Sequence, residues 1–576
     1  MNKRPGKVAK RATYQYRGRD ILAYASLRLY LKNQCALRDT WVHEIASEIV
    51  LNQPQPSYNR ICYFKQMDKE GCCEFRDLYV PGPNEILAET ALLGECAKHP
   101  DVFQPASSVY SYRLSSGNET RGVYKYYFYG FHDRHRAIAE ACQEHSDALV
   151  LYNDIKRFYP SISIDRAINV WNSACDDANL ANRDRELGLK LLENYERTTS
   201  NSGSGLPIGP MFSHLIGNLV LREVDLRMEE IAPGRYFRYV DDFVFVAAEE
   251  KAEELEENLK LLLTEKGLEL HPEKREPVPA ARWLCAANAF ESEVSPVSWK
   301  TFIGKLKQLM LFKPDLRSEM ECKFIDAEIR VRPTDYSDVR QDYHFLNRMR
   351  TLFENGWFRL KMFHLSPDRV LHEGVHLRSF YMKMLFDTLE YMDGSDSIGR
   401  KMSTTRLRYL LSRLAYLATP EQLLTISSSI GEIEEVAIFA AVLRALANRD
   451  VSDLLKFGPV AAQSVASSLK MDSRPVRCSV SSDTEAASQA YAILLLYGVP
   501  LEVSGEPFES EMITFCQGGK GVSKLFESSD TYFRELACLH GLDEPEVLRW
   551  SLETAFDRDE DMASEMTGIL DMSYLV

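Results

Sequence analysis

Three aspartates in two short stretches are the residues most able to act together chemically. Asp154 follows an apolar run rich in leucine and valine, and Asp241 and Asp242 lie between runs rich in aromatic and β-branched residues. These patterns predict a buried strand ending near Asp154 and a tight hairpin with the paired acids at its tip. Paired carboxylates in a turn are typically used to hold hard cations such as Mg²⁺. The alternative is a solvated Asp-Asp pair, as predicted for the helix end at 176–177.

The order of these residues suits a reaction that uses two cations. In-line phosphoryl transfer places one cation where it lowers the pKa of an attacking hydroxyl and another where it steadies the leaving oxygen. Two antiparallel strands side by side would bring Asp154 to the acids of the hairpin. Between them lies a glycine-rich loop, residues 202–210, whose small side chains would let backbone approach a nucleotide closely. These parts are those of a nucleotidyltransferase palm.

The elements that must position the acids can be read from the hydrophobic periodicity. Helical patterns cover about 20–52 and 84–98, separated by β-like runs over 59–82. After the first aspartate, Ser163 can cap a helix, and further helices are predicted over 211–229 and 249–266. Beyond residue 302 the chain is helical, without a fixed repeat period. Stacked helix pairs and an irregular bundle are both compatible with that pattern.

Charge is unevenly distributed along the 576 residues, whose net charge is −15. Residues 1–38 hold ten Lys or Arg against one acid, whereas residues 501–576 hold 17 Asp or Glu against five Lys or Arg. A basic N-terminal segment is typical of proteins that bind the phosphate backbone of nucleic acid. A solvated arm has the same composition and is the alternative interpretation. The acidic end suits repulsion from nucleic acid or contact with a protein.

Composition also bears on the compartment. No uncharged apolar run reaches the length of a membrane span, and the first residues lack the apolar segment of a signal peptide. The 12 cysteines are scattered without a Cys-x-x-Cys pair, which argues against a zinc cluster and for reduced thiols. A cytoplasmic protein without a membrane partner is therefore expected.

Four motifs, in order and with matching spacing, resemble the successive palm motifs of reverse transcriptases. They are Asp154-Ile155-x-x-Phe158-Tyr159-x-Ser161-Ile162, Gly205-Leu206-Pro207-x-Gly209-x-x-x-Ser213-x-x-Ile216-x-Asn218-x-x-Leu221, Tyr239-Val240-Asp241-Asp242 and Gly267-Leu268-x-Leu270-x-x-x-Lys274. The resemblance covers roughly residues 60–310. It implies an α+β right-hand polymerase with fingers, palm and thumb, followed by an all-α C-terminal domain for which a helical repeat is one option. The implied domains are fingers with a basic arm (1–147), palm (148–290), a thumb-like helical region (291–400) and an α-helical C-terminal domain with an acidic end (401–576).

The resemblance also implies roles for individual residues. Asp154 and Asp241 would ligate both Mg²⁺ ions, and Asp242 would support them. Tyr159 matches the position of the ring that abuts the sugar 2′ carbon in the family. An aromatic ring there would clash with a ribonucleotide 2′ hydroxyl, so deoxynucleotides are the expected substrates.

Nucleotide-binding residues are implied in the same way. Pro207, Gly209 and Ser213 would line the nascent base pair, and Lys274 would lie near the incoming triphosphate. Contacts from the fingers to that triphosphate usually come from basic side chains upstream. Arg113 and Lys125, in a stretch rich in tyrosine and basic residues, are the candidates, with simple surface solvation as the alternative for each.

One departure from the family pattern is informative. The common Pro-Gln-Gly is here Pro207-Ile208-Gly209, so a polar side chain near template and nucleotide is replaced by an apolar one. Together with the long helical C-terminal region, this resembles the bacterial abortive-infection and defence-associated reverse transcriptases. Some of that group carry helical-repeat C-terminal domains, prime from a protein hydroxyl or work with a partner non-coding RNA. Whether synthesis is templated therefore stays open.

The leading prediction is an RNA-directed or template-relaxed DNA polymerase that acts in bacterial antiphage defence. Its expected partners are dNTPs, an RNA template or non-coding RNA and the DNA product, with a second copy of the chain or a second defence protein as further candidates. An RNA-dependent RNA polymerase shares the palm and the paired acids, but Tyr159 argues against it. An RNA-binding scaffold or toxin with a vestigial palm is the alternative from another class. The primer, for which Tyr574 is one candidate, and the role of the C-terminal domain stay open.

Overall fold

The computed structural model describes most of the chain as a mixture of helices and strands. The described residues are 6–17, 20–33, 35–68, 70–115, 122–125, 127–200, 205–271, 276–288, 298–333, 365–395, 397–471, 473–480, 484–506, 508–518 and 522–540. Within these ranges the strands form one four-stranded sheet and two two-stranded sheets. The coarse prediction of a mixed α and β chain is confirmed.

The strands and helices follow the chain from one end to the other. The strands are β1 (Tyr58–Met67), β2 (Cys73–Pro81), β3 (Leu149–Asp154), β4 (Tyr236–Tyr239), β5 (Asp242–Ala247), β6 (Glu276–Pro279), β7 (Val476–Ser479) and β8 (Leu501–Ser504). The helices are α1 (Lys7–Arg17), α2 (Ile21–Tyr30), α3 (Asp39–Trp41), α4 (Ser47–Asn52), α5 (Pro83–Cys96), α6 (Pro100–Phe103), α7 (Tyr127–Glu144), α8 (Phe158–Ser161), α9 (Ile164–Ala178), α10 (Asn182–Thr199), α11 (Met211–Ile231), α12 (Glu249–Glu265), α13 (Ala280–Asn288), α14 (Trp299–Phe312), α15 (Arg317–Asp326), α16 (Pro367–Asp393), α17 (Ser397–Leu417), α18 (Pro420–Ser429), α19 (Ala437–Asn448), α20 (Pro459–Lys470), α21 (Glu485–Tyr497), α22 (Glu511–Gln517) and α23 (Thr531–His540). Over the described ranges, none of these helices combines the length and apolar character needed to cross a membrane.

The four-stranded sheet carries the three aspartates at or beside its strand ends. It is antiparallel throughout, and its strand order is β4-β5-β3-β6. Successive side chains point to opposite faces. Helices α7 and α13 pack on one face, around Val150, Val244 and Trp283, and the other face, with Leu151 and Phe245, joins the main core. The sheet is therefore covered on both faces, which fixes the strand ends in place.

The N-terminal third confirms most of the predicted elements. The β-like runs over 59–82 form the antiparallel hairpin β1–β2, and the helix predicted over 84–98 is α5. Asp20 caps α2 by accepting a hydrogen bond from the Ala23 amide at 2.8 Å. The helical pattern over 20–52 is not continuous, because turns and a π-helical segment, Val42–Ala46, separate α2 from α4.

One prediction about the C-terminal half is wrong. The region is not all-α, because β7 and β8 pair in parallel. The predicted boundary between thumb and C-terminal domain, at 400/401, lies in the first turn of α17, which is continuous from Ser397 to Leu417, and the division into these domains stays a prediction. The helices do pack in successive pairs, α16 with α17, α18 with α19 and α20 with α21. Most of the predicted acidic end, residues 541–576, lies outside the described residues.

The C-terminal half does not have a core of its own. One hydrophobic core contains residues from Ala9 to Ala537, so it joins the two ends of the described chain. The Phe64 and Phe457 rings meet edge to face at 5.1 Å across this junction. Helices α20 and α21 therefore pack directly on the β1–β2 hairpin.

Candidate active site

The sheet register brings the predicted acids together. Asp154, the last residue of β3, lies directly opposite Asp242, the first residue of β5. The Ile155 amide donates a hydrogen bond to the Asp241 carbonyl at 3.2 Å, which ties the hairpin turn to the end of β3. The His271 amide donates to the Asp154 carbonyl at 2.7 Å. Both predictions, the hairpin with acids at its tip and its approach to Asp154, are confirmed.

The carboxylates fit an open magnesium site better than a closed cage. Within the described ranges, which include Asp154, Asp241 and Asp242, no group of three or more His, Cys, Asp or Glu residues is arranged to hold a metal ion. Mg²⁺ is usually held by one or two carboxylates together with substrate phosphates and water. Asp154 and Asp241 supply oxygen donors from two adjoining backbone positions. Their donor chemistry fits Mg²⁺ in such a shared site.

The hairpin turn contains a strained residue. Val240 has φ +57°, a left-handed conformation in which β-branched residues are rare because it crowds the side chain. Such a conformation costs about 1–3 kcal/mol and persists only where the surroundings enforce it. Here the Val240 amide donates to Ser111 Oγ at 2.8 Å, and Arg238 Nη1 donates to the Val240 carbonyl at 2.7 Å. Contacts outside the turn therefore fix the conformation that presents Asp241.

Arg238 belongs to a buried polar network that joins the hairpin to α11. Its side chain and that of Asp225 are fully buried and form a bidentate ion pair, with both N–O distances 2.7 Å. Arg238 Nη2 also donates to Asn218 Oδ1 at 3.1 Å, and the Tyr236 hydroxyl donates to Asp225 Oδ1 at 2.6 Å. Burial, followed by the Asp225 charge, raises the pKa of Tyr236 well above its usual value, so the phenol keeps its proton.

Sequence reasoning missed this network. The signal for it was a basic residue, Arg238, within the strand Tyr236–Tyr239, which is otherwise aromatic and fully buried. A buried arginine requires an acid partner, since an isolated buried charge is very unfavourable. Asp225 could not be recognised as that partner from the sequence, because it lies on α11 among other charged residues.

Tyr159 is packed inside the protein rather than displayed on its surface. The side chain is 1% exposed, and its hydroxyl shares a hydrogen bond of 2.5 Å with His214 Nδ1. The His214 ring in turn stacks on Tyr112, with ring centroids 3.7 Å apart and planes within 6°. These contacts fix the orientation of the Tyr159 ring. Its predicted role next to the sugar stays a prediction.

The glycine-rich loop has a structural reason for its glycines. Gly205 and Gly209 both have φ +127°. A Cβ at Gly205 would lie 2.2 Å from the Pro160 carbonyl oxygen, and one at Gly209 would lie 2.2 Å from the Tyr79 carbonyl oxygen. The close approach that these glycines allow is to protein backbone, and the approach of the loop to a nucleotide stays a prediction.

The other loop residues implied by the resemblance are buried. Pro207 is buried in the loop, and Ser213 is fully buried in the first turn of α11. Nothing in their described contacts points to a nucleotide, so their role at the nascent pair stays a prediction.

An acid from α5 holds the start of α11. The fully buried Glu89 carboxylate accepts from the Met211 and Phe212 amides at 2.8 and 3.3 Å, and from the Tyr58 and Tyr195 hydroxyls at 3.2 and 3.0 Å. The first amides of a helix lack internal acceptors and attract a negative charge. Burial raises the pKa of Glu89 to about 7, and the hydrogen bonds oppose that rise. Sequence reasoning missed Glu89 because it is remote in the chain from α11.

The three basic residues predicted to contact the triphosphate are Arg113, Lys125 and Lys274, and their surroundings differ. Arg113 Nη1 donates to the Ala106 and Val109 carbonyls at 2.8 and 2.7 Å, and burial lowers the pKa of this guanidinium. Its described contacts thus stabilise a loop. Lys125 is exposed, and Lys274 lies outside the described residues. Nucleotide binding by all three stays a prediction.

Arg134, on α7, forms an ion pair with one of the three aspartates. Its Nη1 lies 3.1 Å from Asp242 Oδ2. The sequence analysis did not select this residue.

No family model and no curated protein matches the chain, so comparison with known proteins adds no assignment.

Proposed function

We propose that this chain is a DNA polymerase of the reverse-transcriptase type that extends a primer with deoxynucleotides in a Mg²⁺-dependent reaction. The observation that carries the proposal is the strand register that sets Asp154 opposite Asp242, with Asp241 in the adjoining turn. Paired carboxylates at neighbouring strand ends are what in-line nucleotidyl transfer requires. The four motifs in family order support the same reading.

Different residues of the protein would bind the metal ions and position the acids. Asp154 and Asp241 would hold the Mg²⁺ ions, with Asp242 beside them. When bound, Mg²⁺ supplies Lewis acidity that activates the attacking hydroxyl and stabilises charge on the phosphate oxygens. Val240 and the Arg238 network keep Asp241 at a fixed position, which reduces the reorganisation needed during the reaction.

Substrate and biological role rest on weaker support. The ring of Tyr159, fixed by His214, would favour deoxynucleotides if the sugar approaches it as in the family. Ile208, in place of the family glutamine, supports relaxed or unusual templating. The resemblance alone supports a role in bacterial antiphage defence, with an RNA template or non-coding RNA as partner.

A nucleotide-incorporation gel tests the proposal. The full-length protein is incubated with Mg²⁺ and labelled dNTPs, singly and mixed, before and after RNase treatment of co-purifying RNA. The test variant carries Asp241→Asn and Asp242→Asn. The matched control carries Asp176→Asn and Asp177→Asn, which removes the same charges from the end of α9.

The expected result is product from the wild type and the control but none from the test variant. Loss of product after RNase would indicate templated synthesis, and protein-linked product that survives RNase would indicate protein priming. Product from the test variant at the wild-type level would refute the proposal. Absence of product from every protein, with and without RNA, would favour the scaffold or toxin alternative.

A further inference from the structure

We infer that Glu85 and Glu535 share one proton and form a latch that docks α23, the last described helix, on the start of α5. In the docked state Glu85 carries the proton and Glu535 carries the negative charge. Opening of the latch releases the proton, so α23 is held more weakly as pH rises. The latch does not depend on the chemistry at the three aspartates, so its failure and the failure of the proposed function are distinguishable.

The two carboxyl groups meet at one place in the fold. Glu85 is fully buried on α5, and the partly buried Glu535 reaches it from α23. A Cβ added at Gly82 would lie 2.3 Å from Glu535 Oε2 and 3.1 Å from Glu85 Oε2, so both oxygens border the same small space. Two carboxylates that share such a space do not both ionise readily, because their charges repel and burial removes the water that would stabilise them.

The hydrogen-bond donors around the pair are neutral. Glu535 Oε1 accepts from the Asn84 amide at 3.0 Å and from Asn84 Nδ2 at 2.7 Å, and its Oε2 accepts from Ser57 Oγ at 2.5 Å. Glu85 Oε1 accepts from the Ser57 amide at 3.0 Å and from Gln53 Nε2. These donors can stabilise one negative charge, but they bring no positive charge that would offset a second one.

One oxygen of the pair lacks a donor. Glu85 Oε2 is buried and has no hydrogen-bond partner among the residues that the structure describes. A buried acceptor without a donor is unfavourable. A proton on this oxygen removes that cost, because the resulting hydroxyl can donate to Glu535 Oε2, which borders the same space.

Glu535 is the better position for the remaining charge. It accepts from an amide in the first turn of α5, where unpaired amides attract a negative charge, and the helix has no side-chain cap of its own because the capping residue is Gly82. Burial, followed by the Glu535 charge, raises the pKa of Glu85 well above its usual value. Burial also raises the pKa of Glu535, but the hydrogen bonds from Ser57 and Asn84 oppose that rise.

The other titratable groups near the pair come from four elements. Burial raises the pKa of the phenols of Tyr30, Tyr58 and Tyr532, so all three stay neutral at pH 6–8. Glu89, one turn further along α5, has a pKa of about 7. Asp20, before α2, adds a negative charge near Tyr532. These groups offer the pair no cation, and the titration of Glu89 is common to all the proteins compared below.

Hydrogen–deuterium exchange of the full-length protein tests the latch. Mass spectrometry follows the amides of α23 at pH 6, 7 and 8, and the rates are converted to protection factors to remove the intrinsic pH dependence of exchange. Helix α9, which packs on α10 and α11, is the internal reference. The proteins are wild type, Glu85→Gln and Glu535→Gln. The matched control is Glu527→Gln, since Glu527 is exposed in the segment Val522–Glu527, which packs against α23.

The sign of the pH effect follows from the raised pKa. A carboxyl group whose pKa is raised by docking stabilises the docked state fully below its ordinary pKa, about 4.3, and loses that contribution as pH rises through the raised value. Opening releases one proton, so wild-type protection of α23 should fall about tenfold per pH unit while the pH lies between these values. Protection of α9 should not follow that fall.

The variants separate the proton from the charge. Glu85→Gln replaces the protonated acid with an amide that can also donate to Glu535, so protection of α23 should stay at the wild-type pH 6 level through pH 8. Glu535→Gln should also remove the pH dependence, but at lower protection, because the start of α5 loses its anionic acceptor. Glu527→Gln should match the wild type.

Three results would count against the latch or its arrangement. Wild-type protection of α23 that does not change from pH 6 to pH 8 would overturn the shared proton, as would a wild-type pH dependence that persists in Glu85→Gln. Higher protection in Glu535→Gln than in Glu85→Gln would overturn the placement of the proton on Glu85. If Glu85→Gln does not fold, as judged by circular dichroism, the wild-type pH series and Glu535→Gln decide.

Discussion

The buried network around Arg238 allows stability and site geometry to be separated experimentally. Replacing Arg238 with methionine leaves the Asp225 carboxylate buried without its cation and removes the donor to the Val240 carbonyl. Breaking one side of a buried ion pair typically costs about 3–5 kcal/mol. We expect Arg238→Met to lower the free energy of unfolding by that amount. The single replacement Asp225→Leu should cost a similar amount for the same reason.

The double replacement should behave differently for stability and for activity. Arg238→Met with Asp225→Leu exchanges the pair for apolar side chains, an exchange that is often neutral or stabilising. The Val240 carbonyl still loses its donor, and the strained conformation of Val240 stores about 1–3 kcal/mol that would drive the turn to relax. Relaxation would move Asp241 and lower nucleotide incorporation by about fivefold to a hundredfold, since each 1.36 kcal/mol is a factor of ten.

Equilibrium denaturation and the incorporation gel would be run on the same preparations. The control is Arg227→Ala, which removes an exposed ion pair with Glu230 on the same helix, at 3.2 Å. It should cost no more than about 1 kcal/mol. A double variant that regains both stability and full incorporation would show that the network does not hold the turn. A loss below about 1 kcal/mol in Arg238→Met would show that the pair is not a desolvated one.

Three further predictions address the loop, the start of α11 and the Tyr159 ring. Gly209→Ala should lower the free energy of unfolding by about 1–3 kcal/mol, because its Cβ would meet the Tyr79 carbonyl oxygen and its φ is positive. The control in the same denaturation assay is Gly234→Ala. Gly234 also has a positive φ but has open space around it, so this variant tests the backbone conformation alone. Glu89, with a folded pKa of about 7, stabilises the protein fully below its ordinary pKa and loses that contribution as pH rises through 7. Denaturation at pH 5 and pH 8 should therefore show that Glu89→Gln removes about 3 kcal/mol of pH dependence, and an unchanged pH slope would contradict this. Tyr159→Ala should admit ribonucleotides in the incorporation gel, whereas continued use of deoxynucleotides alone would refute its assignment next to the sugar.

Patterns with strong local causes were predictable from the sequence. The hairpin at Asp241 and the strand ending at Asp154 follow from side-chain type and periodicity over a few residues. Their pairing could also be anticipated, because two antiparallel strands side by side bring such ends together. Ser163 as a helix cap is a similar case, and its hydroxyl does accept from the Arg166 amide.

What the sequence did not reveal depends on contacts between distant segments. Glu89 and Arg134 act on α11 and on the hairpin from other helices, and nothing in their local sequence indicates the partner. The glycines at 205 and 209 were correctly singled out but for an incomplete reason, because the backbone they approach belongs to residues far along the chain. The β7–β8 pair was missed because strands this short carry little periodicity.

The packing of the C-terminal half also bears on the β1–β2 hairpin of the N-terminal third. The edge of strand β1 that does not face β2 has backbone groups without a strand partner. Gln489 of α21 binds two of these groups. Its Nε2 donates to the Arg60 carbonyl at 2.9 Å, and its Oε1 accepts from the Cys62 amide at 2.8 Å. Unpaired strand edges promote aggregation, so proteins cover them. Cutting the chain at residue 400 would expose this edge and part of the shared core. The described part of the C-terminal half therefore holds the β1–β2 hairpin, and a change in its packing would be transmitted to that hairpin directly.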